Sequence, residues 1–321
     1  MSEYKRLSRR EATERLLALR DPVILIHVHP DADCVGTMAA LSRVFAALGQ
    51  KATYASDDDV PERLAFLLNG TERTRDLRGK DVVSVDVASR KQGGESLLAA
   101  EKIDLMIDHH EIGDSFADGY VISGSSSTAE VLYDLIEELV EMGKLTVTRE
   151  IAEPLFAAMS SDTGGFRFSS AKPRTFRIAA SFIELGVNHA EISHKLFYSK
   201  SKEQIKAEGF IAKKTELFAD GKIAVATHTE AERLELGAAE EHFDTAIEIP
   251  RSISGVQIAV IVKETDKGTF KASLRSLGAN VAEVAKKFGG GGHIRAAGCS
   301  PEAKSIDEAK AMLISELLPL V

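Results

Sequence analysis

The chain has 321 residues, of which 44% are hydrophobic and 28% are charged, and its formal net charge is −9. This length and composition are sufficient for substantial buried cores in two domains, and they exclude a disordered or fibrous protein. The negative charge argues against binding of long duplex nucleic acid, because that affinity depends on neutralising many phosphates, so any phosphate-bearing ligand is expected to be small.

Hydrophobic periodicity in the first half of the chain predicts strands that alternate with helices. Strands are predicted at residues 23–28, 51–55, 81–87 and 103–107, and helices at 8–20, 35–48, from Pro61, at 127–142, 149–160 and 174–185. Strands that alternate with helices form mostly parallel sheets with helices on both faces. The sequence therefore predicts an α/β domain over residues 1–188.

The remainder of the chain has a different pattern. Residues 189–218 are charged and strongly helical, which indicates a helical linker. Strands are predicted at 222–228, 256–263 and 269–275, with a turn at 266–268 and a helix at 280–288. Residues 219–321 are therefore predicted to form a smaller α/β domain with a mixed sheet.

Carboxylate and imidazole side chains follow three of the predicted strands where each strand ends. They are His27, His29, Asp31 and Asp33 after the first strand, Asp86 after the third, and Asp108, His109 and His110 after the fourth. Parallel strands bring their carboxyl ends to one edge of a sheet, so these side chains are expected to converge. Carboxylates held close together repel unless a cation lies between them, which predicts a divalent metal here. The alternative for Asp31 and Asp33 is a turn that caps the following helix.

Other features of the sequence have simpler interpretations. The aspartate run at 57–59 is typical of a solvated loop that leads into a helix. Cys34 and Cys299 are the only cysteines, so no disulfide framework is expected, and Cys34 is interpreted as a small packed residue. The N-terminal segment is charged and no segment has the apolar length of a membrane span. We therefore expect a cytoplasmic protein without a membrane partner.

Six segments together resemble the DHH phosphoesterase family, which is named for the triplet Asp108-His109-His110. HVHPDAD, VSVDVA, IDHH and SSDTGGF resemble its four motifs in order, and SLRS (273–276) and FGGGGHIRAAG (288–298) resemble the DHH-associated domain. The resemblance covers nearly the whole chain. It is strongest to the stand-alone oligoribonuclease and 3′-phosphoadenosine 5′-phosphate (PAP) phosphatase group.

The resemblance implies two divalent cations, usually Mn²⁺, with Mg²⁺ and Co²⁺ as alternatives. The implied ligands are His27, Asp31 and Asp86 for one cation, and Asp33, Asp86, His109 and Asp162 for the other. The implied catalytic residues are Asp86, Asp108 and His110. His110 is expected to face the substrate or to orient a ligand, and Asp108 to act by orienting its neighbours. His29 replaces an asparagine of the family pattern and is left open between a metal or substrate contact and a hydrogen bond to a carboxylate.

The C-terminal domain is expected to bind the substrate. The residues implied by the resemblance, together with His110, are Arg275, Gly290, Gly291, Gly292 and His293, and Arg295 is a weaker candidate. A glycine run has a high ordering cost, which a close approach of the backbone to a ligand would offset. The alternative is a helix end followed by a flexible turn.

The resemblance implies a metal-dependent phosphoesterase that hydrolyses short oligonucleotides to nucleoside monophosphates, with hydrolysis of PAP to AMP as a further activity. Its expected partners are short oligonucleotides or small phosphorylated nucleotides, and a homodimer is compatible with the sequence. The main alternative is a phosphodiesterase acting on cyclic di-AMP or linear dinucleotides. Less favoured alternatives are a pyrophosphatase or exopolyphosphatase and an inactive nucleotide-binding regulator.

Overall fold

The computed structural model describes residues 4–68, 70–110, 116–243 and 245–321. Two units, Met1–Ser199 and Lys200–Val321, each contain one sheet and their own buried apolar core. The predicted α/β class is confirmed in both units. The segment 189–218, predicted as a linker, is divided between the units at Ser199. No helix within the described ranges is both long and apolar enough to cross a bilayer.

The first unit is built on a five-stranded sheet in which all paired strands run parallel. The strands are β1 (Val23–Leu25), β2 (Thr53–Ala55), β3 (Val82–Val85), β4 (Leu105–Asp108) and β5 (Gly119–Val121). Their order across the sheet is β2-β1-β3-β4-β5. The strand order therefore reverses at β1 and β3, and open sheets of this kind bind ligands at the carboxyl ends beside such a reversal.

Helices cover both faces of this sheet. They are α1 (Arg9–Ala18), α2 (Ala32–Ala47), α3 (Ala65–Leu68), α4 (Gly94–Ala99), α5 (Thr128–Glu141), α6 (Arg149–Asp162), α7 (Pro173–Glu184) and α8 (His189–Ser193), followed by a π-helical turn, His194–Tyr198. Ile24 lies in the core formed with α1, α2, α5 and α6, whereas Leu25 lies in a second core with Leu97 of α4. Successive strand residues point to opposite faces, so β1 is buried on both sides.

Asp31 determines where α2 begins. Its side chain accepts hydrogen bonds from the backbone N–H groups of Asp33 at 2.9 Å and Cys34 at 3.0 Å. The helix therefore begins at Ala32, earlier than the predicted residue 35. As a result, Asp33 and Cys34 lie on the first helical turn.

α2 and α6 pack closely at Gly36. A Cβ atom built on Gly36 would lie 2.5 Å from the carbonyl oxygen of Pro154 and 2.9 Å from the Cβ of Ala158. Only glycine permits this approach. The contact brings the N-terminal turn of α2, which carries Asp33, beside the C-terminal end of α6, which carries Asp162.

The second unit contains a six-stranded mixed sheet in the order β10-β11-β9-β8-β7-β6. Its strands are β6 (Glu216–Phe218), β7 (Ile223–His228), β8 (Ile258–Glu264), β9 (Phe270–Ser276), β10 (Gly291–His293) and β11 (Ala296–Cys299). Its helices are α9 (Lys202–Lys214), α10 (Glu230–Glu235), α11 (Glu248–Arg251), α12 (Val281–Lys287) and α13 (Ile306–Leu317). β7 and β8 pair in parallel, and the predicted antiparallel hairpin of β8 and β9 is confirmed.

We expect Gly36→Ala to lower the free energy of unfolding by about 1–3 kcal/mol, because the added methyl group has no space between α2 and α6. The matched control is Gly209→Ala on the exposed face of α9, where nothing lies within 4 Å of the new Cβ. That substitution should stabilise the protein by up to about 1 kcal/mol, since alanine favours helix. Urea denaturation followed by circular dichroism measures both, and equal effects would contradict the packing argument.

Candidate metal centre

Loops and helix ends at the carboxyl edge of the first sheet bring the predicted metal ligands together. His27 and Asp86 follow β1 and β3, His109 follows β4, and Asp33 and Asp162 lie at helix ends. Donor atoms within 4.8 Å of one another form three groups: His27, Asp31 and Cys34; Asp86, His109 and His110; and Asp33, His109 and Asp162. Residues that are far apart in sequence therefore share one region of the first unit.

The His27 ring lies between the carboxylates of Asp31 and Asp86. Its Nδ1 atom donates a hydrogen bond to the carbonyl oxygen of Val28 at 2.7 Å, which leaves the lone pair of the neutral ring on Nε2. Nε2 lies 3.7 Å from Asp31 Oδ1 and 3.6 Å from Asp86 Oδ2. These separations exceed a hydrogen bond, and three lone pairs directed at one space suit a cation between them.

His109 repeats this arrangement beside the other carboxylates. Its Nδ1 donates to the carbonyl oxygen of Ser125 at 3.2 Å. Its Nε2 lies 3.4 Å from Asp162 Oδ2, 3.8 Å from Asp86 Oδ1 and 3.9 Å from Asp33 Oδ2. The two oxygens of Asp86 thus face two different imidazoles, as a carboxylate that bridges two cations would.

Burial and mutual repulsion perturb the three carboxylates at this edge. Burial, followed by the charge of Asp86, raises the pKa of Asp33 to about 7. Burial and repulsion from Asp33 raise the pKa of Asp162 well above its usual value. Burial also acts to raise the pKa of Asp86, but the positive charges that His27, His109 and His110 carry when their rings are protonated act in the opposite direction, and the pKa of Asp86 is lowered. Without a cation, the centre therefore holds protons on carboxylates that would otherwise be charged.

The N-terminal end of α5 supports two of these carboxylates, a role that the sequence motifs did not predict. The backbone N–H groups of Thr128 and Ala129 donate to Asp33 at 2.7 and 3.2 Å, and the Thr128 hydroxyl donates to Asp86 Oδ1 at 2.7 Å. A helix N-terminus stabilises negative charge. The run of hydroxyl residues at 125–128 before a helix was the available signal.

His110 is oriented by Asp108. Its Nδ1 donates to Asp108 Oδ1 at 2.7 Å, and the same oxygen accepts the backbone N–H of His109 at 2.8 Å. Burial acts to lower the pKa of His110, but the hydrogen bond to Asp108 and the negative charge of Asp108 outweigh this effect, so the pKa of His110 is raised. Asp108 is only 1% exposed, so it holds the two histidines in place from within the protein.

His29 lies apart from these groups. Its backbone has a left-handed φ of 55°, and its side chain is 86% exposed with Nδ1 3.0 Å from Asp58 Oδ2. The His29 backbone N–H also donates to Asp58 Oδ2 at 2.8 Å, so the neighbour of His29 is a carboxylate, as in one of the two roles left open for it. The aspartate run is more than a solvated loop, because Asp57 also accepts backbone hydrogen bonds from Glu95 and Ser96 at the start of α4.

The expected substrate-binding residues of the second unit lie on β9, on β10 and, for Gly290, immediately before β10. Arg275 lies on β9, and its Nη1 donates to the carbonyl oxygen of Leu274 at 3.0 Å. Burial lowers the pKa of Arg275. Among the described residues no carboxylate forms an ion pair with it. A partly buried guanidinium group in this setting is suited to an anionic ligand.

Strand packing explains two of the four consecutive glycines. A Cβ on Gly290 would collide with the carbonyl oxygen of Gly298, and one on Gly292 would lie 2.5 Å from that of Ala296. These contacts come from the antiparallel neighbour β11, so the glycines permit close approach of backbone to backbone. Gly291 and the exposed His293 lie on the same edge strand.

The donor set fits divalent cations. Imidazole and carboxylate together suit Mn²⁺, Co²⁺ and Zn²⁺, and each imidazole that faces carboxylates has Nδ1 fixed by a backbone carbonyl, as histidine ligands commonly do. Asp33, Asp86 and Asp162 gather without a lysine or arginine ion pair among the described residues. A divalent cation would remove their mutual repulsion.

The parallel sheet and this centre define an α/β protein with a candidate two-cation site at the carboxyl edge of its strands. The chain belongs to the DHH family: the family's N-terminal domain matches residues 22–159, and the DHHA1 domain matches residues 220–318. The resemblance noted from the sequence motifs is thereby confirmed.

Similar proteins span nearly the whole chain. The bifunctional oligoribonuclease and PAP phosphatase NrnA of Thermus thermophilus is 32% identical over 310 residues, which cover 94% of this chain and 90% of that protein. NrnA of Bacillus subtilis is 28% identical over 304 residues, covering 93% and 95%. An exopolyphosphatase-related protein from Bacteroides fragilis has the same fold, with a TM-score of 0.87, 22% identity, and coverage of 97% and 96% of the two chains.

We expect Thr128→Val to weaken Mn²⁺ binding by about 10–100-fold, because it removes the hydrogen bond that orients Asp86. Thr128→Ser retains the hydroxyl group and is the matched control, with affinity close to that of the wild type. Isothermal titration calorimetry on the metal-free protein measures both. If the valine variant bound Mn²⁺ as tightly as the serine variant, the hydroxyl would have no role at the centre.

Binding of Mn²⁺ should release protons, because Asp33 and Asp162 have raised pKa values and must be ionised to coordinate a cation. The affinity for Mn²⁺ should therefore rise from about pH 6 to about pH 8, by about tenfold per pH unit for each proton released on binding. Calorimetry in two buffers with different ionisation enthalpies counts these protons. A pH-independent affinity with no proton release would contradict the raised pKa values.

Proposed function

We propose that this protein is a manganese-dependent phosphoesterase that hydrolyses short oligonucleotides to nucleoside monophosphates and PAP to AMP. The relatives named as bifunctional oligoribonucleases and PAP phosphatases support this substrate class. The cytoplasmic location and the homodimer stay predictions.

One observation carries the proposal. His27 and His109 each have Nδ1 tied to a backbone carbonyl and Nε2 directed at carboxylate oxygens, with Asp86 between them. Because the same arrangement occurs twice, it supports two adjacent divalent cations with His27 and His109 as ligands, rather than two histidines that serve only the packing of the protein. An inactive binding regulator would not require it.

We assign one cation to His27, Asp31 and Asp86, and the second to Asp33, Asp86, His109 and Asp162. When bound, such a pair of cations supplies a water of lowered pKa and neutralises charge on phosphoryl oxygens. The chain's own contribution is to hold the donor atoms in place. The N-terminal end of α5 and Thr128 restrain Asp33 and Asp86, and the close contact at Gly36 places Asp162 beside them.

His110 is proposed to act on the substrate itself. Asp108 fixes the ring through Nδ1 at 2.7 Å, and this orientation allows the imidazole to hydrogen-bond a phosphoryl oxygen or to protonate the leaving oxygen. Asp108 is a positioning residue, since it is buried and contacts both His109 and His110.

The second unit is proposed to recognise phosphate. Arg275 is partly buried, with no ion-paired carboxylate among the described residues, which supports pairing with a substrate phosphate. His293 and the backbone of Gly290, Gly291 and Gly292 are proposed as further contacts. For Gly290 and Gly292 this role would be additional to the packing of β10 against β11.

The proposal is tested with a panel of di- to pentaribonucleotides, PAP, cyclic di-AMP and pyrophosphate, assayed in Mn²⁺. We expect hydrolysis of the short oligonucleotides and PAP. Asp86→Asn should lower kcat by at least about 100-fold, because the variant loses the charge shared by both proposed cations.

The matched control is His29→Ala, which removes an exposed histidine of the same motif that lies apart from the centre. Its kcat should equal that of the wild type. Turnover of cyclic di-AMP or pyrophosphate alone would replace the proposed substrate class. Tight nucleotide binding without turnover of any phosphoester would make the protein a regulator.

A further inference from the structure

Cys34 lies among the donor atoms of the first proposed cation position. Its sulfur, a nitrogen of His27 and an oxygen of Asp31 are all within 4.8 Å of one another. The side chain is fully buried, and Sγ is 3.5 Å from the backbone oxygen of Asp31. The structure thus differs from the interpretation of Cys34 as packing alone, because the helix start at Ala32 turns the sulfur toward the centre.

The buried Asp86 side chain directs a further donor atom toward His27. Nε2 of His27 faces Asp86 Oδ2 at 3.6 Å, beyond hydrogen-bond distance, and the Asp86 side chain is only 4% exposed. The Thr128 hydroxyl bonds the other oxygen, Oδ1. Nitrogen, oxygen and sulfur donors therefore surround one position, and the sulfur is the soft donor among them.

We propose that Cys34 is a metal ligand for thiophilic divalent ions, and that it makes this position selective between two classes of cation. Hard ions such as Mn²⁺ and Mg²⁺ use His27, Asp31 and Asp86 and leave the thiol protonated. With Zn²⁺, Cd²⁺ or Co²⁺, the S–H bond breaks, its proton passes to the solvent, and a sulfur–metal bond forms. No change of oxidation state is involved.

This inference rests on the proposed cation centre. The experiment must therefore distinguish a protein without the cation centre from one in which the centre exists but Cys34 is not a ligand. Metal-free full-length protein is titrated with Co²⁺, with binding measured by calorimetry and thiolate ligation by the near-ultraviolet sulfur-to-cobalt charge-transfer band. Cys299 is the only other cysteine and is buried in the core of the second unit, so Cys299→Ala is the matched control.

The wild type and Cys299→Ala should both show the charge-transfer band. Cys34→Ala and the more conservative Cys34→Ser should bind Co²⁺ without it. Their affinity for Zn²⁺ should fall by at least about tenfold while their affinity for Mn²⁺ stays nearly unchanged. Circular dichroism verifies the folding of each variant, and the wild-type and Cys299→Ala spectra decide the question even if a Cys34 variant does not fold.

Co²⁺ binding to the wild type without the band would overturn the role of Cys34 and leave the cation centre intact. Loss of the charge-transfer band in Cys299→Ala would show that Cys299, not Cys34, binds Co²⁺, and would also overturn the inference. Absence of Co²⁺, Zn²⁺ and Mn²⁺ binding to the wild type would instead refute the centre on which the proposed function depends.

Discussion

Electrostatic repulsion among buried and partly buried carboxylates is the constraint on which the first unit depends. Asp33, Asp86 and Asp162 converge at the carboxyl edge of a parallel sheet, where burial and mutual charge raise the pKa of two of them. Such an arrangement is stable only if protons, hydrogen-bond donors or cations compensate the charge. The imidazoles of His27 and His109 direct Nε2 at these oxygens, so the geometry favours cations.

The scaffold compensates part of this repulsion with its own backbone. The first N–H groups of α5 donate to Asp33, so the positive end of a helix faces a carboxylate that forms no lysine or arginine ion pair among the described residues. Asp86 has a left-handed φ of 60°, a strained conformation for a residue with a side chain, at the point where β3 ends. Strain and repulsion concentrated at one edge are typical of a functional site rather than of a structural core.

Hard and soft donors at this edge connect the proposed chemistry with the proposed metal selectivity. Carboxylates and imidazoles satisfy Mn²⁺, whereas the Cys34 sulfur offers a further bond only to thiophilic ions. The helix cap at Asp31 explains how one short segment provides both the hard carboxylate donor of Asp33 and the soft sulfur donor of Cys34. By accepting the N–H groups of Asp33 and Cys34, it places a carboxylate and a thiol on the same helical turn.

The sequence by itself determined the alternation of strands and helices, the motifs at the strand ends and the family, because hydrophobic periodicity and motif order are local properties. It also predicted that His27, Asp86 and His109 converge, since parallel strands present their ends at one edge. The tertiary structure decided the rest. Support of Asp33 and Asp86 by Thr128 depends on where α5 begins in space, and the glycines at 290 and 292 are required by a neighbouring strand. The position of the Cys34 sulfur depends on α2 beginning at Ala32, three residues before the predicted start. Hydrophobic periodicity does not predict contacts of these kinds, because they form between segments that are distant in sequence or irregular in structure.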